Sequence, residues 1–168
     1  MRLYAQPYNL DAKGFYFESM EEYAEKAKNC VDSFGGKVEE FEIQFIDGTD
    51  EEADLAKAIK LDQANLEDFF NLEDLDEYDA AKLFYLVDNR RYTLAEALPL
   101  VDDVILFEGT LEQAAEDLFD ECYLSQVPES IRPYIDYKKF ARDCEMGSDM
   151  DEFEFAGVTY TCTNVNGR

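Results

Sequence analysis

Carboxylates are the one reactive group this chain carries in quantity: 40 Asp and Glu against 15 Lys and Arg, with no His, in 168 residues of net charge −25. Carboxylates can ligate metals, move protons in pairs or act as fixed charges, and spacing separates these roles. A calcium loop of the EF-hand type needs alternate acids, a Gly at the sixth position and a Glu at the twelfth. The runs Asp47-Gly48-Thr49-Asp50, Glu73-Asp74-Leu75-Asp76-Glu77 and Asp149-Met150-Asp151-Glu152 all fail that register. A hydrolytic carboxylate pair needs no such spacing, and nothing distinguishes two of forty. The absence of His removes Ser-His and Cys-His dyads, and neither Gly-rich nucleotide-binding fingerprint occurs. Cys30, Cys122, Cys144 and Cys162 are too far apart for a Cys-x-x-Cys zinc pair and are expected to be buried thiols. The residues therefore predict no catalytic set, no metal and no cofactor, and a protein that is not an enzyme. A hydrolase built on acids and a metal is the third alternative.

The elements that must hold these acids are readable from periodicity. The chain is 46% hydrophobic with 13 Phe and 11 Tyr, which describes a folded core under an anionic skin rather than an acidic disordered tail. Arg2 to Tyr8 reads as a strand, Asn9 to Gly14 as a loop and Phe15 to Phe17 as a second strand. Ser19 with Glu22 forms a capping box for a helix near 20–33, ended by Gly35-Gly36. Val38 to Ile46 alternates Phe41, Ile43 and Phe45 with Glu40, Glu42 and Gln44, a half-buried strand. Asp50 is the expected cap of the next helix. Leu66, Phe69 and Phe70 begin a short helix, Tyr78 to Leu86 form another, and Thr93 with Glu96 caps a fourth. Val104 to Phe107 is an expected strand, Thr110 with Gln113 caps a helix to about Leu124, and Tyr137 to Glu145 is a short helix. Glu152 to Phe155 and Val158 to Cys162 flank Ala156-Gly157 as a hairpin.

This pattern predicts an α+β protein of three small domains: an α/β N-terminal lobe over 1–61, an all-helical middle lobe over 62–103 and an α/β C-terminal lobe over 104–168. The lobes hold 14 acids and 7 bases, 12 and 3, and 14 and 5, giving nets of −7, −9 and −9. No 18-residue apolar run and no apolar leader follow Met1, so the reading is of a cytoplasmic protein without a membrane partner.

Charge of this sign excludes ordinary nucleic-acid binding, which needs Lys and Arg against phosphate. It also keeps proteins soluble, so its amount alone names no function. Its distribution is more informative. Duplex DNA carries about one charge per 1.7 Å of axis, and a DNA-binding protein has a cationic channel that an extended polyanion could occupy. Helical neighbours three and four apart lie about 5–6 Å apart at Cβ. Glu73 with Asp76 or Glu77, Glu112 with Glu116, and Asp117 with Asp120 or Glu121 could thus stand in for successive phosphates. Glu67, Asp68, Asp74 and Asp79 complete the set of candidate partner-binding carboxylates.

The C-terminal third gives this idea a family. Val127-Pro128-Glu129-Ser130-Ile131, then Tyr134-Ile135-Asp136-Tyr137, then Phe140-Ala141-Arg142-Asp143 resembles the signature stretch of the ArdA antirestriction proteins. Tyr8-Asn9 with Gly14 is similar to the family's opening segment, although Phe15, Tyr16 and Phe17 stand where a Trp is usual. The resemblance implies an elongated protein of three small domains that forms a homodimer through its C-terminal domain. It also implies an inhibitor, typically encoded by mobile elements, that mimics DNA and occupies the groove of type I restriction–modification enzymes. Within the signature, Tyr134, Ile135, Tyr137 and Phe140 are expected to be core, Arg142 to pair an acid within the fold, and Pro128, Asp136 and Asp143 to be mainly structural. The alternative is an acidic adaptor that binds another basic DNA-binding protein without imitating duplex shape.

Overall fold

Alternation along Arg2–Pro7 (β1) buries Leu3, Ala5 and Pro7 and makes this strand the centre of a three-stranded antiparallel sheet, in the order β2-β1-β3. This computed structural model describes residues 1–165. β2 is Phe15–Phe17, as expected, with Tyr16 opposite Tyr4. Gly14 precedes it because a Cβ there would meet the Tyr4 ring and, at 2.5 Å, the Ala5 carbonyl oxygen. Ser19 caps α1 (Met20–Lys28) by accepting the Glu22 N–H. This helix stops short of residue 33. The Cys30 N–H turns back to the Ala27 carbonyl, Val31 bridges Lys37, and the Asp32 carboxylate accepts the Phe34 and Gly36 N–H groups in a tight turn.

β3 (Phe41–Asp47) pairs with β1 and buries Phe41 and Ile43 while Glu42 faces water. The cap of α2 (Asp50–Ala58) is Thr49 rather than Asp50. Its hydroxyl takes the Glu52 N–H and the Glu52 carboxylate takes the Thr49 N–H, a reciprocal arrangement that Asp50, one residue on, cannot make.

The helical segment that follows is built on the same sheet. Gln63 donates to the Glu39 carbonyl and accepts the Phe41 N–H, and the Phe70 ring lies 6.3 Å from that of Phe17. α3 (Leu66–Phe70) runs into a 3-10 turn at Asn71–Asp74, and α4 (Glu77–Phe84) widens into a π turn at Tyr85–Asn89, where the Arg90 N–H reaches the Tyr85 carbonyl. Phe17, Tyr23, Phe41, Leu66, Phe69 and Leu83 are among its buried residues. Residues 1–94 form one compact unit, and the chain from Ala95 onward forms a second. The helix expected after Thr93 is a single turn, α5 (Leu94–Ala97), because Pro99 converts its continuation into the 3-10 stretch Leu98–Asp103.

In the second unit a sheet of order β4-β6-β5 comprises β4 (Leu106–Glu108), β5 (Asp151–Phe155) and β6 (Val158–Cys162). β4 starts two residues later than periodicity suggests, since the Val104 N–H closes the preceding turn onto Val101 and the Asn164 side chain takes the Ile105 N–H. Ala156 and Gly157 both have positive φ, at 51° and 77°, the two left-handed positions that a tight hairpin turn requires. α6 (Leu111–Cys122) and α7 (Tyr137–Met146) pack together through Ala114, Ala115, Ala141, Cys144 and Met150, with Phe107, Leu118 and Phe140 closing the cluster. Cys30, Cys144 and Cys162 are buried, but Cys122 is exposed because it ends α6 away from that packed face. The architecture is α+β throughout.

Candidate anionic interaction surface

Burial of one helix face forces charge onto the other, and both acidic stretches follow from this rule. In the first unit Leu66, Phe69, Leu72, Ala80 and Ala81 point into the core. Between residues 67 and 79 there are seven carboxylates and no cation. Glu67, Asp68, Glu73, Asp74, Asp76 and Glu77 are exposed, whereas Asp79 is half-buried. Two of the seven do local work. Asp76 caps α4 by accepting the Asp79 N–H at 2.9 Å, and Asp79 pairs with Lys82 at 2.9 Å. The other five make no ion pair with a described residue.

In the second unit α6 begins with a complete capping box between Thr110 and Gln113, to which Glu152 adds a carboxylate on the Leu111 N–H. Glu152 is a structural acid that the sequence reading did not single out, since it acts across 41 residues of chain. Glu112, Glu116, Asp117, Asp120 and Glu121 are all exposed on α6. Glu112, in the first turn, suits helix electrostatics, but the far end of α6 opposes them. A helix favours acids at its N-terminus and bases at its C-terminus by about 0.3–1 kcal/mol each. α1 obeys, with Glu21 and Glu22 first and Lys26 and Lys28 last, and α2 obeys with three acids first and Lys57 last. α6 has no base in its last turn and puts Asp120 and Glu121 there.

This conflict has a measurable consequence. The Asp117→Asn/Glu121→Gln double variant should be more stable than the unmodified chain. If removing the Glu121 charge from the last turn and its i,i+4 repulsion with Asp117 gains about 1 kcal/mol together, the thermal midpoint rises by about 2–4 °C. A melting curve at low salt tests it, and a lowered midpoint would show that these carboxylates serve the fold.

The signature residues act on this helix from below. Asp136 caps α7 by accepting the Lys139 N–H at 3.0 Å. The Tyr137 hydroxyl donates to Asp120 at 2.6 Å, and that bond to a carboxylate pushes the phenol pKa up to about 12. Phe140 and Tyr137 meet Phe119 edge-on, with ring centres 5.2 and 5.6 Å apart. α7 thus fixes the face that α6 presents. Tyr137, Phe140 and Ile135 are half-buried rather than core, and Tyr134 is 81% exposed. Tyr134 misses the core because it closes a 3-10 turn, Arg132–Tyr134, that runs over the surface. Arg142 also departs from expectation. It lies on the outer side of α7 and makes no ion pair with a described residue, although it shares a shallow surface pocket with Glu112, Glu145 and Glu152. Pro128 offers its carbonyl to the Ile131 N–H in a turn, and the Asp143 carbonyl accepts the Gly147 N–H at the end of α7.

Among the described residues, no three Cys, Asp or Glu side chains converge in a way that could hold a metal ion, and no helix is long and apolar enough to cross a membrane. The chain therefore presents two carboxylate-rich helical faces, each oriented by a core that spends only a few of its acids internally. A family model described as antirestriction protein (ArdA) matches residues 8–158. No curated protein and no solved structure matches the chain.

Proposed function

The chain belongs to the ArdA family of antirestriction proteins, and we propose that it inhibits type I restriction–modification enzymes as a DNA mimic, by occupying their DNA-binding groove. The observation that carries this reading is α6, which exposes Glu116, Asp117, Asp120 and Glu121 on one helix and sets the last two in its final turn against its own dipole, with no base there. An acidic skin kept only for solubility has no need to place charge where it costs stability. Glu67, Asp68, Glu73, Asp74 and Glu77 supply a comparable face in the first unit.

Inhibition then needs no catalysis, only occupancy. The three segments 1–61, 62–103 and 104–168, with nets of −7, −9 and −9, each contribute to the anionic surface. The working form is a homodimer joined through the C-terminal segment, acting in the cytoplasm. Small-angle scattering tests the assembly: a long curved dimer supports mimicry of a duplex, whereas a compact monomer supports an acidic adaptor.

The direct test is competition between this protein and DNA for a purified methyltransferase core. Excess protein should displace the DNA, and full DNA affinity in its presence would end the reading. Complementary charges dominate such an interface, so affinity should fall by tenfold or more as salt rises from about 50 to 200 mM. Salt-insensitive binding across that range would argue against groove occupancy.

A further inference from the structure

The first unit carries an apolar feature that phosphate mimicry does not use. Leu10 is 94% exposed and Phe34 85% exposed, on two loops locked together. The Ser33 N–H donates to the Asp11 carbonyl at 2.9 Å, Ala12 bridges Asp32, and the Asn9 amide donates to the Asp32 carboxylate at 3.1 Å. Leu10 and Phe34 therefore flank a single backbone hydrogen bond. The turn beneath Phe34 is rigid: Gly35 takes φ +82°, and a Cβ on Gly36 would lie 2.7 Å from the Asp32 carboxylate. That carboxylate is held below the ordinary range by the Gly36 and Phe34 N–H groups, so the turn stays closed at neutral pH. Two apolar side chains are thus presented in a fixed geometry, where leaving them in water is unfavourable.

Beside this tip is a groove of about 690 Å³ with Phe15, Cys30 and Val31 among its apolar walls. Its charges are unevenly engaged. Lys26 is committed to the Glu22 carboxylate and the Tyr16 carbonyl, which leaves Asp11, Glu25 and Lys13 at the rim. The rim is net acidic, which suits a cationic occupant.

We propose that this tip and groove dock a cationic amphipathic segment of the partner protein. Its apolar side chains would cover Leu10 and Phe34, and an Arg or Lys would lay its stem along Phe15 and Val31 with its head at Asp11 and Glu25. The identity of the partner rests on the groove-occupancy reading above; the binding chemistry does not. This contact gives the complex a component that salt does not screen.

The test uses the full chain and three blocked peptides: an amphipathic Leu/Arg helix, a Gly/Arg peptide of equal charge and a Leu/Glu helix. Backbone NMR shifts locate binding, and fluorescence anisotropy at high salt gives affinities. The Leu/Arg peptide should shift Asp11, Lys13 and Phe34, and Leu10→Ser/Phe34→Ser should weaken it about tenfold or more without affecting the Gly/Arg peptide. Both side chains stand in solvent, so the variant is expected to melt as the unmodified chain does. Asp11→Asn/Glu25→Gln should weaken both cationic peptides about threefold at low salt. The proposal is overturned if the serine variant binds the Leu/Arg peptide as tightly as the unmodified chain, or if the Leu/Glu helix binds equally well. If the unmodified chain fails to displace DNA from a methyltransferase core, the inhibitory reading falls, while the peptide measurements still decide this one.

Discussion

Replacing Glu116, Asp117 and Glu121 together by lysine is expected to weaken displacement of DNA from a type I methyltransferase core by roughly a thousandfold at low salt. The three side chains are exposed on α6 and make no ion pair with a described residue, so the substitutions leave its capping box and its buried Ala114 and Ala115 intact. They change the net charge from −25 to −19, since each reversal adds two units to the three positions. Placing like charges opposite one another at an interface costs up to several kcal/mol. Roughly 1.4 kcal/mol per reversal, a factor of ten each, is a conservative share for sites that water still reaches. The corresponding Gln and Asn variants should lose much less, because they remove attraction without adding repulsion. The difference between the two sets should shrink as salt rises and the Debye length falls towards about 3 Å at 1 M. Because lysines near a helix C-terminus suit its dipole, the triple variant should melt no lower than the unmodified chain. Undiminished competition by such a stable variant would remove α6 from the interface.

What was legible in the sequence was local. The hairpin turn at Ala156-Gly157, the helix caps at Ser19 and Thr110, of which only the second is a reciprocal box, and the alternation along Phe41, Ile43 and Phe45 each depend on residues within a few positions of one another. The structure places them where those rules require. The structure departs from local rules where a distant partner or a nearby competitor decides. α1 ends at Lys28 because Asp32 captures the backbone of the next turn, and α2 is capped by Thr49 because only that residue is reciprocated by Glu52. The acidic faces could be named from composition, but not their support. The bond from Tyr137 to Asp120 spans 17 residues, and the meeting of Phe119 with Phe140 spans a loop without periodicity. Tyr134 shows the reverse. Its aromatic type suggested core, yet burial is decided by which side of a surface turn a ring occupies. Leu10 and Phe34 give no sequence signal for a related reason, since a lone apolar residue in a polar loop carries no period to read.

Phe17→Ala should strongly destabilise the first unit, and it should reduce inhibition although it removes no charge. The ring is 1% exposed, with its centre 4.9 Å from that of Tyr23, 6.1 Å from Phe15 and 6.3 Å from Phe70. Truncating a buried Phe to Ala costs about 3–5 kcal/mol, a large part of the roughly 5–15 kcal/mol that holds a domain together. The loss is directional as well as large. Phe70 is the last residue of α3, and Leu66, Phe69 and Leu72 anchor the stretch that carries Glu67, Asp68, Glu73 and Asp74 outward. A cavity at Phe17 removes the ring against which this stretch is seated, so its amides should exchange with solvent sooner than those of β1 and β3. Hydrogen exchange measured at a temperature where the variant is still folded reads this directly. Tyr16→Ala supplies the control from the neighbouring position, whose side chain lies on the other face of β2 and is 46% exposed beside Tyr4 and Arg2. It should cost about 1 kcal/mol, within the usual range for a partly exposed site, and leave exchange over 66–74 unchanged. Equal acceleration in both variants would mean that the acidic face is not seated on the aromatic core. Selective acceleration with Phe17→Ala would show that presenting the carboxylates depends on the packing beneath them as well as on their number.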